Sequence, residues 1–255
     1  MMKEQTVLIT GATSGIGEAT ARLLASEGLN LILTGRRNER LNSLCKELKD
    51  QYGIDCLPLD FDIRKIADVR EALSGLEGKW QNIDILINNA GLAAGLAYVH
   101  EADWDDWEQM IDTNLKGLFY LSRLIAPGMV ERGSGHIINI TSIAGKEVYS
   151  KGSVYCATKH AVDAFTRGLR IDLVPYSIKV SAIAPGAVNT EFSMVRFKGD
   201  REKAEKVYEG FEPLLAEDIA QAVLFIISRP PHVNINDLLI MPTAQANSGT
   251  LVRKS

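Results

Sequence analysis

Tyr155 and Lys159 stand four residues apart in Val154-Tyr155-Cys156-Ala157-Thr158-Lys159-His160-Ala161, a run of small and apolar residues that predicts a helix. At that spacing both side chains project from one helical face. A phenol titrates near about 10 and is a poor acid-base group at neutral pH, whereas an ammonium beside it favours the phenolate and brings it into range. Ser142 adds a third group able to hold or move a proton. It follows Ile137-Ile138-Asn139-Ile140, which predicts a buried strand, so its hydroxyl stands at that strand's carboxyl end, where open α/β sheets bind ligands. Of the seven tyrosines only Tyr155 has a lysine four residues on, so no other pair competes for the role. The chemistry offered is proton transfer at a substrate oxygen. A Tyr-x-x-x-Lys pair can equally be surface packing, so the elements around it must decide.

Those elements begin with Val7-Leu8-Ile9-Thr10, a short predicted strand that runs into Gly11-Ala12-Thr13-Ser14-Gly15-Ile16-Gly17. Ala19, Leu23 and Leu24 then give a helical stripe that ends at Gly28. In a strand, glycine turn and helix of this kind the backbone can approach a pyrophosphate, whose charge is met by free amides and the positive end of the helix dipole. The context predicts a dinucleotide site rather than a bare turn.

The spacing T-G-x-x-x-G-x-G, together with Ser142, Tyr155 and Lys159, resembles the short-chain dehydrogenase/reductase family, and the resemblance extends over nearly the whole chain. It implies a single Rossmann domain over residues 1–255: an α/β fold with a doubly wound, parallel, seven-stranded sheet and helices on both faces. It also implies that Gly11, Thr13, Ser14, Gly15, Ile16 and Gly17 cradle the cofactor, and that Asn89, Ala90 and Gly91 of Asn88-Asn89-Ala90-Gly91 border it. Asp62 matches the position that contacts the adenine amino group, although a helix cap before Ile66, Val69 and Leu73 is an equally simple reading. Asn114 matches an asparagine that holds a water relaying protons to the lysine; a satisfied buried amide is the alternative. Pro185, Gly186, Val188 and Thr190 match the family's P-G-x-V-x-T segment beside the nicotinamide, with Thr190 a partner for its carboxamide. Lys159 would bind the nicotinamide ribose as well as lower the Tyr155 pKa.

At the end of the second predicted strand, 29–34, an NAD enzyme would place an Asp or Glu on the ribose 2'-hydroxyl. Here the chain reads Gly35-Arg36-Arg37, with no carboxylate before Glu39. Two guanidinium groups suit a 2'-phosphate, so the expected cofactor is NADP, with NAD the less favoured alternative. Pro58 lies inside the third predicted strand, 54–59, and proline cannot donate a ladder hydrogen bond, so that strand is expected at the sheet edge. Asp103 caps a long predicted helix with an apolar face of Trp107, Met110, Ile111, Leu118 and Ile125. Surplus apolar residues on it, Phe119 and Leu121, fit packing against another subunit, as in the family's dimers and tetramers. Residues 191–212 are charge-rich, break the strand–helix rhythm and are expected to form a flap over the substrate.

Composition narrows the function class further. Hydrophobic content of 46% and a net charge of −4 describe an ordinary globular chain without the basic footprint of a nucleic-acid binder. Cys45, Cys56 and Cys156 are odd in number and form no C-x-x-C pair, which predicts reduced thiols. His100, His136, His160 and His232 have no metal-ligand spacing, so no catalytic metal is expected. The amino end, Met1-Met2-Lys3-Glu4-Gln5, lacks the pattern of a signal peptide, and no apolar run nears the roughly 20 residues that cross a bilayer. A cytoplasmic enzyme is the expectation.

The segments from Thr190 to Asp200 and from His232 to Asn236, and Met241-Pro242, resemble the NADP-dependent 3-hydroxy acid dehydrogenase branch of the family. That branch oxidises compounds such as L-serine, L-allo-threonine and 3-hydroxypropionate. A carboxylate substrate needs a cation, and Arg196 in the flap is the candidate, against the alternative of a solvated surface arginine. Two other readings stand beside this one. A reductase of 3-oxoacyl thioesters or other carbonyl compounds would use the same scaffold, although many such enzymes end in a V-D-G-G-like segment where this chain has Leu238-Leu239-Ile240-Met241-Pro242-Thr243. A non-catalytic NADP sensor would tend to have lost the tyrosine or the lysine.

Overall fold

The central apolar runs become strands buried on both faces of one sheet, while the edge strands are only partly covered. The computed structural model describes residues 4–254. The first three residues of the amino-end reading and Ser255 lie outside them. In chain order the elements are β1 (Thr6–Thr10), α1 (Gly15–Ser26), β2 (Asn30–Gly35), α2 (Asn38–Tyr52), β3 (Cys56–Asp60), α3 (Ile66–Ser74), β4 (Ile85–Asn88) and α4 (Trp104–Ile111). There follow α5 (Gly117–Arg132), β5 (His136–Ile140), α6 (Ser153–Leu173), β6 (Lys179–Pro185), α7 (Phe192–Arg196), α8 (Arg201–Lys206), α9 (Ala216–Ile227) and β7 (Asp237–Ile240). The strands form one parallel sheet in the order β3-β2-β1-β4-β5-β6-β7. Pro58 does sit in the edge strand, opposite Leu33 of β2, where its missing N–H costs no ladder bond.

Side-chain alternation along the strands builds two apolar layers. Val7, Ile9, Leu31 and Leu33 point to the layer filled by α1, α2 and α9, with Leu24, Leu41, Leu48 and Val223 at its centre. Leu8 and Ile32 point to the other layer, filled by Val69 of α3 and by Leu121, Ile125 and Met129 of α5. Burying each such side chain stabilises the fold by roughly 1.5–3 kcal/mol. Leu121 is fully buried in this core, so the expectation that it faces another subunit is corrected. The chain had two apolar demands to meet on α5, and only packing shows which residue meets which. Phe119 is half-buried and packs at a tilt against Phe165 of α6, ring centroids 4.3 Å apart.

The cysteine expectation is also corrected. Cys45 of α2 and Cys56 of β3 pair as a disulfide, with Cα atoms 5.3 Å apart, and Cys156 is the free cysteine among the described residues. The two half-cystines are 11 residues apart, so no short motif marks them; the packing of α2 on β3 brings them together. Among the described residues no helix is long and apolar enough to cross a membrane.

Candidate active site

A cleft of about 720 Å³ opens at the carboxyl ends of the strands and runs from the glycine loop to Tyr155, the place where open α/β sheets bind ligands. Its floor at one end is the loop Gly11–Ile16. Gly11 and Gly15 have φ of 65° and 53°, a left-handed conformation that suits glycine. Gly17 does not line the cleft; a Cβ there would lie 2.4 Å from the Gly11 carbonyl, so its role is the close packing of loop on helix. Asn89 ties the loop to the end of β4: its amide nitrogen donates to the Thr10 carbonyl at 2.8 Å, while the Thr10 hydroxyl accepts from the backbone amides of Asn89 and Ala90. Thr10 therefore braces the loop, a position its place in the T-G motif signals but the glycines overshadow.

The two arginines after β2 divide their work. Arg37 donates from Nε to the Thr13 hydroxyl at 2.9 Å, from Nη2 to the Ser14 hydroxyl at 2.7 Å and from Nη1 to Glu191 at 2.8 Å. Both arginines line the cleft, and Arg37 is at the same time engaged with the loop. Arg36 lines the cleft without an ion pair among the described residues. Asp62 lines the same end, and its carboxylate accepts from the Arg64 guanidinium and backbone amide, which hold it below the usual carboxylate range. It is no helix cap, because Lys65 occupies that position before α3. Ala90, Gly91, Pro185, Gly186, Val188 and Thr190 continue the wall toward the far end.

There Ser142, Tyr155, Lys159 and Arg196 meet. Ser142 lies two residues past β5 in extended backbone, and its hydroxyl accepts from the Ala144 amide at 3.1 Å, which starts a single tight turn. Gly145 lets that turn lie on α6, since a Cβ there would meet the Lys159 carbonyl at 2.8 Å. Lys146 then pairs with Asp163 of α6, so the turn that carries Ser142 is docked one helical turn from Lys159. Tyr155 is 8% exposed and packs edge-on against Phe192 of α7, ring centroids 5.7 Å apart.

The electrostatics differ from the simple pairing expected of the helix spacing. The Lys159 ammonium donates to the Ile140 carbonyl at 3.0 Å and lies 6.0 Å from the Tyr155 ring centroid. Burial pushes the Tyr155 phenol well above its ordinary value, with hydrogen bonding from Ser142 and the charge of Arg196 opposing it. Burial also pushes Lys159 down to about 8. The phenol is therefore raised where lowering by the lysine was expected, because desolvation outweighs the opposing Ser142 hydroxyl and Arg196 charge. What remains is a lysine poised near neutrality, able to give and take a proton.

Asn114 lies behind Gly91, outside the cleft wall. It sits in a wide, π-type turn, Asp112–Lys116, between α4 and α5, a distortion common at functional sites. Its carboxamide accepts from the Leu92 amide and donates to the Leu92 carbonyl, both at 2.8 Å, and donates to the Thr158 hydroxyl at 3.1 Å. A Cβ on Gly91 would lie 3.3 Å from the Asn114 oxygen and 3.5 Å from the Lys159 nitrogen, so that glycine keeps the space between them open.

Arg196, predicted as the carboxylate partner, is drawn inward. Its guanidinium donates to the Tyr149 hydroxyl at 2.9 Å and to the Gly95 carbonyl at 3.3 Å, and it lies 5.8 Å from the Tyr155 ring. Tyr149, whose phenol burial raises above its ordinary value, was not singled out in the sequence; nothing in its spacing marks it as the residue that orients Arg196.

The family model of the short chain dehydrogenases matches residues 5–201. The chain belongs to the short-chain dehydrogenase family. Among its relatives within the family, the NADP-dependent 3-hydroxy acid dehydrogenase of Salmonella typhi is 50% identical over 250 residues, which cover 98% of this chain and 99% of that one. The Schizosaccharomyces pombe protein of the same name is 41% identical over 98% of this chain and 97% of its own. Among solved structures, a serine dehydrogenase in its closed form complexed with NADP+ superposes with a TM-score of 0.91 at 49% identity, covering 98% of this chain and all of that one. The doubly wound fold of this short-chain dehydrogenase thus has a solved counterpart along nearly its full length.

Proposed function

We propose that this short-chain dehydrogenase moves hydride between NADP and a small 3-hydroxy acid. The observation that carries the reading is Arg196, a cation held by Tyr149 and Gly95 beside the Tyr155 ring, where a carboxylate two carbons from the reacting carbinol finds its partner. The relatives named NADP-dependent 3-hydroxy acid dehydrogenase and serine dehydrogenase support the same substrate class. The residues of the cleft fit the cofactor: a glycine cradle for the pyrophosphate, Asp62 for the adenine, Arg36 for the 2'-phosphate and Thr190 for the carboxamide. When bound, the nicotinamide supplies the hydride acceptor in oxidation and the donor in reduction.

The protein's own part is proton transfer and orientation. In oxidation Ser142 holds the substrate oxygen, and the neutral Tyr155 phenol passes its own proton toward deprotonated Lys159 as it takes the substrate's, so that the net acceptor is the lysine. Asn114, on the far side of Gly91, is proposed to anchor the water that carries the proton onward. Residues 191–212 are proposed to close over the substrate as a flap. The setting proposed is a cytoplasmic homo-oligomer, a dimer or tetramer, with the Phe119–Phe165 pair supporting the α5–α6 face as a contact.

The reading is tested by following cofactor reduction optically with NADP+ or NAD+ against L-serine, L-allo-threonine, 3-hydroxypropionate and a simple secondary alcohol. Rapid NADP+ reduction confined to the hydroxy acids is expected. Activity on the alcohol alone, or only in reverse on ketones and thioesters, would shift the substrate to the carbonyl reductases. In the same assay Arg36→Ala is expected to lower the preference for NADP+ over NAD+ by about 10- to 100-fold, the worth of a charge-assisted contact. An unchanged preference would remove Arg36 from 2'-phosphate recognition.

The pH profile has a defined sign. Oxidation delivers a proton to the Tyr155–Lys159 pair, so the pair must be deprotonated to accept it, and Lys159 lies at about 8. kcat/KM for oxidation is expected to rise with pH and level off above about 8, and for reduction to fall over the same range. A flat profile from about pH 6 to about pH 10 would exclude the pair as the proton acceptor.

A further inference from the structure

One carboxylate is shared by two guanidinium groups where the glycine loop faces the root of the flap. Glu191 accepts from Arg37 through one oxygen at 2.8 Å and from Arg40 through the other at 3.0 Å. Arg37 is itself fixed by the Thr13 and Ser14 hydroxyls, so the carboxylate is bound to the loop and not to a loose surface cation. Glu191 follows Thr190, whose side chain lies 3.1 Å from where a Cβ on Gly15 would be, and it precedes α7, which carries Phe192 and Arg196. The three charged groups therefore connect α2, the loop and the flap across the mouth of the cleft. Two cations and one anion leave this cluster with a net charge of +1, with Arg36 separate from it.

We propose that Glu191 is a positioning residue: with Arg37 and Arg40 it clasps the flap root to the glycine loop, so that the grip on the dinucleotide and the placing of Phe192 and Arg196 over the substrate are set together. The inference rests on the reading of the cleft as a dinucleotide site. The clasp acts on NADP and NAD alike, because its cations are already shared with Glu191, and the 2'-phosphate is left to Arg36. In the competing arrangement the 2'-phosphate displaces Glu191 from the two arginines, and Glu191 then opposes NADP alone.

The two arrangements give opposite binding results. NADP+ and NAD+ are titrated calorimetrically into the wild-type protein, Glu191→Gln and Arg40→Gln; the second variant opens the same clasp from its other side. Trypsin cleavage within residues 197–206 is followed in each NADP+ complex. Both variants are expected to bind both cofactors about fivefold more weakly, the upper end for an exposed ion-pair network, with the NADP+ to NAD+ ratio unchanged and the flap cut faster. KM for the hydroxy acid is expected to rise more than kcat falls. Tighter binding of NADP+ alone by Glu191→Gln would overturn the clasp in favour of competition. Unchanged affinities and cleavage would overturn it as an idle surface pair. Wild-type protein that binds neither dinucleotide would overturn the reading of the cleft and the clasp with it.

Discussion

Tyr155→Phe is expected to lower kcat by at least about 10²- to 10⁴-fold while leaving the affinity for NADP+ close to wild type. The substitution removes one oxygen and keeps the ring that packs against Phe192, so the wall of the cleft survives and the lost activity reports the hydroxyl. The two other phenols that line the cleft are engaged elsewhere, the Tyr149 hydroxyl accepting from Arg196 and the Tyr208 hydroxyl donating to the Val188 carbonyl. The measurement is a steady-state rate with 3-hydroxypropionate beside a calorimetric titration of NADP+. A residual rate within about tenfold of wild type would mean that the proton leaves by another route, and the role given to Tyr155 would be withdrawn.

Arg196→Leu is expected to raise KM for 3-hydroxy acids by about 10- to 100-fold, the cost of removing a charge-assisted hydrogen bond from a carboxylate, with a smaller effect on kcat. Leucine keeps an aliphatic stem against Tyr149, so a simple secondary alcohol serves as the control and should be turned over as well as before, or better. The contrast between the two substrates separates recognition of the carboxylate from general damage to the flap. An unchanged KM for the acid would return Arg196 to the role of a residue that only ties α7 to the Gly95 carbonyl and Tyr149.

The order of strands and helices, the edge position of β3 and the convergence of Ser142, Tyr155 and Lys159 were all legible in the sequence. Each is written locally. Strand alternation and helical spacing repeat over a few residues, Pro58 excludes a central strand by itself, and Tyr155 and Lys159 need only one turn of helix to share a face. Ser142 needs only the end of a strand. The glycine loop likewise carries its geometry in its own φ angles.

Tertiary structure decided whatever depends on segments far apart in the chain. It tied Arg37 to Thr13, Ser14 and a carboxylate 154 residues away. It placed Leu121 inside the core, joined Cys45 to Cys56, set Asn114 behind Gly91 against the Leu92 backbone, and found Tyr149 for Arg196. It also reversed the expected charge balance at Tyr155, because a pKa sums desolvation by every element packed around the group, whereas spacing along one helix reveals only a single neighbour. The sequence alone determined which groups could do the chemistry; the fold decided how dry they are and what holds them.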